Sequence, residues 1–185
     1  GISIATRPDC LEEPILKLLS ELKQQFRQKF IWIELGLQTI HEKTALYIRR
    51  GYPLSCFDNA VEKLNQLSIP IIVHVIIGLP GESQKQLLET VTYLNQCNIF
   101  GIKFHLLHIL KNTDLAFEYE AGFVSVMTFD EYIEAILECI GHLSPNITIH
   151  RMTGDGAKDQ LIVPLWSLDK RKVLNTIHKE LAARN

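Results

Sequence analysis

The sequence is short of the features that mark several large classes of protein. No apolar run reaches the roughly 18–20 residues that a membrane-spanning helix needs, and no signal-peptide pattern opens the chain. An excess of one charge is also missing: 19 Lys and Arg stand against 21 Asp and Glu, a net charge of −2. Nothing there marks an exposed nucleic-acid track. The four cysteines, Cys10, Cys56, Cys97 and Cys139, show no CxxC or CxH spacing. That argues against a zinc or disulfide framework and for reduced, mostly buried thiols. No internal repeat or low-complexity segment is present. What remains is one soluble domain, or a large part of one, of 185 residues and 46% hydrophobic, expected in the cytoplasm.

The stretch from Ile71 to Ser83 organises the rest. Ile71 to Ile77 is apolar on both parities apart from His74, the pattern of a strand covered on both faces in a parallel sheet. Gly78 and Gly81 then bracket Leu79-Pro80, and Ser83 with Gln86 forms a capping box that starts a helix. A strand that ends in a glycine turn at a helix N-terminus predicts a ligand edge of an α/β protein.

Strands and helices alternate along the whole chain. Gly1 to Thr6 is strand-like, and Asp9 with Glu12 predicts the cap of a helix carrying Leu11, Ile15, Leu18, Leu19, Leu22 and Phe26. Phe30 to Gln38 is the next strand. A helix from about His41 to Arg49 follows, then a second one capped by Ser55 and Asp58. After the helix from Ser83 to about Cys97, residues 100–110 read as one strand, with Lys103, His105 and Leu107 on one parity. Asn112 to Ser125 reads as a long connection. Thr128 with Glu131 caps the next helix, Asn146 to Arg151 is a last short strand ended by Gly154-Asp155-Gly156, and an amphipathic helix runs from about Leu168 to Ala183.

This order predicts an α/β fold with a parallel sheet. Polar residues interrupt its strands: Ser3, Glu34, Gln38, His74, Lys103, His105 and His150. If the sheet curls into a partial barrel, residues of one parity share a lumen and ligand groups gather at the carboxyl ends. A lone His74 or His105 is by itself better read as a hydrogen-bonded core residue. Glu34 and Gln38 on one parity point instead to a polar interior or a ligand, because an isolated buried carboxylate is costly. Arg49-Arg50 by default is a solvated helix end, and Gly154-Asp155-Gly156 by default a turn.

The ordered set Ser-Ile-Ala-Thr-Arg-Pro-Asp, Ile-Glu-Leu-Gly-Leu-Gln-Thr, Arg-Arg-Gly, His-Val-Ile-Ile-Gly-Leu-Pro-Gly-Glu and Arg-Met-Thr-Gly-Asp-Gly resembles the second half of a radical S-adenosylmethionine (SAM) enzyme. The nearest resemblance is to the bacterial YhcC/YtqA-type group. More distant ones are oxygen-independent coproporphyrinogen oxidases and the catalytic subunit of Elongator. The resemblance implies a partial (β/α) barrel of about five βα units, with residues 1–153 as its strands four to eight and residues 154–185 as a C-terminal extension. It implies SAM across the carboxyl edge of the strands, bound to a [4Fe-4S] cluster.

For the SAM site the resemblance implies Gln38, Arg50 on the SAM carboxylate, His74 in the place of a ribose-binding aspartate, Ile76 against adenine, and the turn from Gly78 to Glu82. It places Phe104 to His108, Leu107 among them, on the strand whose backbone reaches the adenine. Glu34 joins this set as the acidic residue of its strand. Ala5 stands where the oxidases have a glutamate, and the C-x3-C-x2-C cluster triplet is absent. The chain is therefore expected to be a fragment that begins at the fourth barrel strand, rather than a degenerate homologue. Its parent would generate a 5′-deoxyadenosyl radical on an unknown substrate. A non-catalytic α/β interaction module and a phosphate-binding barrel enzyme remain the alternatives. Two sheet edges left bare would favour self-association.

Overall fold

The computed structural model describes residues 1–154 and 156–184. In chain order the elements are β1 (Ile2–Thr6), α1 (Glu13–Gln25), β2 (Ile31–Gln38), α2 (Glu42–Tyr47), α3 (Leu54–Gln66), β3 (Ile71–Ile77), α4 (Gln84–Gln96), β4 (Gly101–Leu106), β5 (Ile109–Leu110), α5 (Asp114–Glu120), α6 (Phe129–His142), β6 (Thr148–Arg151), β7 (Leu161–Val163) and α7 (Lys170–Arg184). Short 3-10 turns occupy Pro8–Cys10 and Leu165–Leu168.

Alternating apolar residues decide the architecture. β2 buries Ile31, Ile33, Leu35 and Leu37, β3 buries Ile71, Val73, Val75 and Ile77, and β4 buries Ile102, Phe104 and Leu106. These side chains form one core with Leu16 and Leu19 of α1, Phe57 and Leu64 of α3, Val91 and Leu94 of α4, and Tyr132 and Ile136 of α6. The opposite parity, from Trp32 through Glu34 and Gly36 to Gln38, stays half-buried. Five parallel strands lie in the order β1-β2-β3-β4-β6, so β1, β2 and β3 each lie beside the strand next in sequence and β1 and β6 form the edges. Helices packed on one face of such a sheet give the wall of a barrel, and the half-buried face is its lumen side. α7 closes the fold by packing Val173 and Ile177 into the same core beside α6. Among the described residues no helix is long and apolar enough to cross a membrane.

Several local expectations are corrected. The strand expected over residues 100–110 breaks after Leu106, and Ile109–Leu110 turns away to pair antiparallel with Leu161–Val163. The connection expected from Asn112 to Ser125 contains α5, capped by Thr113 Oγ1, which accepts from the Ala116 N–H at 3.2 Å. Ala116 and Val124 pack there on Ile109, a small second core. Asp9 caps no helix; it takes the Arg7 guanidinium at 2.6 Å, and α1 starts at Glu13 with Pro14 in its first turn, where a missing N–H does no harm. α3 starts at Leu54 rather than after Ser55, and Glu42 of α2 accepts the Leu54 N–H at 2.7 Å. The Ser83/Gln86 and Thr128/Glu131 capping boxes both form. Within Gly154-Asp155-Gly156, Asp155 lies outside the described residues.

Phe57 is fully buried in α3, whereas Phe123 is 84% exposed. Phe57→Ala is expected to lower stability by about 3–5 kcal/mol, and Phe123→Ala by no more than about 0.5 kcal/mol. Urea unfolding of the two variants checks this, and equal losses would contradict the core assignment.

Candidate functional site at the carboxyl edge of the sheet

On the lumen side a layer of polar side chains is organised by Glu34. Its Oε1 accepts the Ser3 hydroxyl at 2.7 Å, and its Oε2 receives Lys103 Nζ at 2.5 Å and His74 Nε2 at 2.7 Å. Strand register brings them together: Ala5 pairs with Glu34, Gly36 with His74, and His74 with Lys103. Burial pushes the Glu34 pKa up, but the hydrogen bonds from Lys103, Ser3 and His74 outweigh it and bring the carboxyl down to about 2. Burial pushes His74 down against the pull of Glu34, and burial together with His74, Arg151 and Lys103 takes His105 to about 4. The His105 imidazole is therefore neutral at neutral pH, with its ring stacked on that of His74 at 4.8 Å. The Nε2 atoms of His105 and His150 are buried without a hydrogen-bond partner. Below this layer, His150 stands edge-on to Trp32 and beside Phe100.

Above it the strands end in a pocket of about 380 Å³. Gln38, Ile76 and Leu107, at the ends of β2, β3 and β4, line it together with Leu79-Pro80, Arg49 of the α2 terminus and Glu118 of α5. Gln38 holds φ 64°, an uncommon value for a residue other than glycine. Its side chain folds back over Gly36, where a Cβ would stand only 2.5 Å from Gln38 Nε2. Gly78 takes φ 85° where β3 turns into Leu79-Pro80, a conformation that suits glycine.

Arg50 lies behind Gln38 with its side chain 1% exposed. Its Nη1 donates to the carbonyls flanking Gln38, those of Leu37 at 3.3 Å and Thr39 at 2.7 Å. Its Nε donates to the Tyr52 carbonyl at 3.0 Å and its Nη2 to Glu42 at 3.1 Å. The carboxylate role implied for Arg50 thus meets a guanidinium already engaged by the fold. Arg49 is the cation at the pocket, 78% exposed and 2.7 Å from Asp114 Oδ2.

Of the residues singled out in the sequence, Gln38, Ile76 and Leu107 meet in this pocket and Gly78 forms the turn beside it. Glu34 and His74 lie one layer beneath, and Arg50 lies behind the wall. Sequence reasoning missed Tyr47, Arg49, Asp114 and Glu118, all on α2 and α5 or at their ends. Thr113 followed by Asp114 is a helix-start signal that could have located α5. Among the described residues no group of three or more His, Cys, Asp or Glu is arranged for a metal, and the four cysteines are separate and free.

A parallel barrel-wall sheet with a glycine turn and a pocket at its carboxyl edge places the chain among α/β barrel-type proteins. The chain belongs to the radical SAM superfamily: the model of that superfamily matches residues 1–94, and that of the Radical_SAM C-terminal domain matches residues 99–183. It is 41% identical to the uncharacterized protein YtqA of Bacillus subtilis over 184 residues, which is 100% of this chain and 56% of YtqA. It is 36% identical to protein YhcC of Escherichia coli K12 over 166 residues, 90% of this chain and 53% of YhcC. The chain thus spans little more than half the length of these relatives. The structure of Elp3 from the archaeon Methanocaldococcus infernus, with an N-terminal deletion, superposes with a TM-score of 0.79 at 18% identity, covering 97% of this chain and 42% of Elp3, and shares the fold.

Two expectations follow from this geometry. Glu34 has its folded pKa depressed from 4.5 to about 2, so its contribution to stability is present above pH 4.5 and lost as pH falls through about 2. Acid titration of unfolding should show wild type losing more stability than Glu34→Gln across that window; parallel curves would mean that the three hydrogen bonds are absent in solution. Arg50→Ala leaves buried carbonyls unpaired and should cost about 3 kcal/mol, whereas Arg49→Ala should cost about 0.5 kcal/mol or less. Thermal unfolding of the pair measures both, and equal effects would contradict the clamp.

Proposed function

We propose that this chain is the SAM-binding part of a radical SAM enzyme and holds the adenosyl group at the ends of β2, β3 and β4. The observation that carries this reading is the pocket in which Gln38, Ile76 and Leu107 meet beside the Gly78 turn. The apolar walls of Ile76, Leu79 and Leu107 suit a flat heteroaromatic ring, and the Gln38 amide offers both a donor and an acceptor. Arg50 acts as a positioning residue: by binding the carbonyls on both sides of Gln38 it fixes the left-handed backbone that aims this amide. Arg49 is the exposed cation that an anionic end of the ligand would meet. His74, with Nε2 on Glu34, keeps its other ring nitrogen for a ligand hydroxyl.

Held there, SAM would supply a 5′-deoxyadenosyl radical on one-electron reduction by a cluster carried elsewhere in the parent enzyme, its C–S bond breaking to release methionine, and that radical would take hydrogen from a substrate. The residues of this chain orient the adenosyl group and exclude water from it. They do not fit an iron–sulfur cluster, since no three of the described cysteines or histidines converge, and no step of that kind is assigned to them. We assign cluster binding to the part of the parent enzyme for which this chain has no counterpart.

Calorimetric titration with S-adenosylhomocysteine, which shares the adenosyl group, tests the pocket. Saturable binding to the chain is expected. Gln38→Ala and Ile76→Asp should each weaken it about tenfold or more, the scale of one hydrogen bond or one buried charge, while Glu62→Ala on the exposed side of α3 should leave it unchanged. No binding by wild type, or equal effects at all three positions, would sink this reading.

A further inference from the structure

The polar layer beneath the pocket contains more hydrogen-bonding capacity than the fold uses. Glu34 already accepts three donors, from Ser3, His74 and Lys103, so it has little left for a ligand. The unused capacity lies with Lys103 and His105. Lys103 carries three N–H groups, and among the described residues only Glu34 receives one of them. His105 holds a buried Nε2 with no partner. An orphaned buried polar atom costs about 1–3 kcal/mol, which a fold tolerates where a ligand satisfies it. Lys103 is 18% exposed and His74 24% exposed at their side chains, so these two groups are reachable from the lumen side. Ile76, which lines the adenosyl pocket, is the register partner of His105, so this layer directly adjoins the pocket floor.

We propose that Lys103 Nζ and the His105 imidazole form an oxyanion site on the lumen side of the sheet, one layer beneath the adenosyl pocket, that receives a carboxylate or phosphate group. As the place where substrate meets the adenosyl group, the site rests on the proposed function; as an oxyanion site it stands on its own geometry. The groups that face His105 are Glu34 on β2, His74 on β3, Lys103 on β4 and Arg151 on β6. In the free protein, burial, joined by His74, Arg151 and Lys103, keeps the imidazole neutral against the pull of Glu34. An entering oxyanion reverses that balance, because a nearby negative charge favours the protonated ring. Binding therefore takes up a proton onto His105, and the protonated ring becomes a second charged donor beside Lys103.

The test is titration of the chain with inorganic phosphate and, separately, with acetate and succinate, followed by the imidazole nitrogen signals of His105 and by calorimetry in buffers of different ionisation enthalpy. Saturable binding with net proton uptake near neutral pH is expected. Affinity should fall at least tenfold in Lys103→Met and in His105→Gln, with S-adenosylhomocysteine binding unchanged in both. His105→Gln does not touch Glu34, so it keeps the test open should Lys103→Met fail to fold. Preference for phosphate or for the carboxylates identifies the source of the oxyanion, and either supports the site. Loss of S-adenosylhomocysteine binding with oxyanion binding intact would remove the adenosyl reading and leave this one. Absence of saturable oxyanion binding in wild type, or equal affinity in wild type and His105→Gln, overturns it.

Discussion

One carboxylate ties four strands of this sheet together. Glu34 stands on β2 and binds Ser3 on β1, His74 on β3 and Lys103 on β4. A carboxylate on a strand face is costly without partners, and three directional donors supply them while fixing how the strands lie against one another. Parallel strands with one face of branched apolar residues could slip in register without exposing anything polar. A slip by two residues would keep every side chain on its face yet draw Glu34 away from Ser3, His74 and Lys103, so the cluster adds to the register that the apolar face sets. The rest of the arrangement inherits this registry. Ile76 and Leu107 meet at the pocket because β3 and β4 pair in parallel register, with Ile76 opposite His105, two residues before Leu107.

The second constraint is local. β2 cannot end in ordinary strand geometry, because Gln38 takes a left-handed backbone and the ladder to β3 shifts between Gly36 and Gln38. Arg50 holds that bulge by reaching back from the end of α2 to the carbonyls of Leu37 and Thr39. Tyr52 adds its hydroxyl to the Gly36 carbonyl and to Gln38. The Arg50-Gly51-Tyr52 segment is thus a backbone clamp, and Arg49 beside it is left to face the pocket. A left-handed strand end held from behind by a buried guanidinium fixes where this one amide side chain stands at the pocket wall.

Much of this was legible in the sequence, for reasons that particular residues show. The alternation Ile31, Ile33, Leu35, Leu37 against Trp32, Glu34, Gly36, Gln38 announced a strand with one apolar and one polar face, and the polar interruptions at His74 and Lys103 fell on the same face. Ser83 with Gln86 and Thr128 with Glu131 announced two helix starts, since a capping box is a short-range device that tertiary contacts seldom override. What escaped was tertiary in origin. The break after Leu106 depends on Ile109 and Leu110 finding a partner in Leu161–Val163, some fifty residues later, which no local pattern encodes. The starts of α1 and α3 were misplaced because Asp9 and Ser55 resemble caps, while Arg7 claimed the first and a carboxylate on another helix, Glu42, took over from the second. The burial of Arg50 behind Gln38 was equally hidden, for an Arg-Arg pair at a helix end carries no mark of which side chain turns inward.

The central claim is that the ends of β2, β3 and β4 form a single adenosyl pocket above the Glu34 cluster. The most direct measurement is a chemical-shift map of the methyl and side-chain amide signals on addition of S-adenosylhomocysteine. The account predicts saturable shifts confined to the pocket lining, Gln38, Ile76, Leu79 and Leu107 among it, with Leu64 and Val91 in the core unmoved. Shifts centred on the α4–α6 surface, or none at Ile76 and Gln38 at saturation, would contradict it.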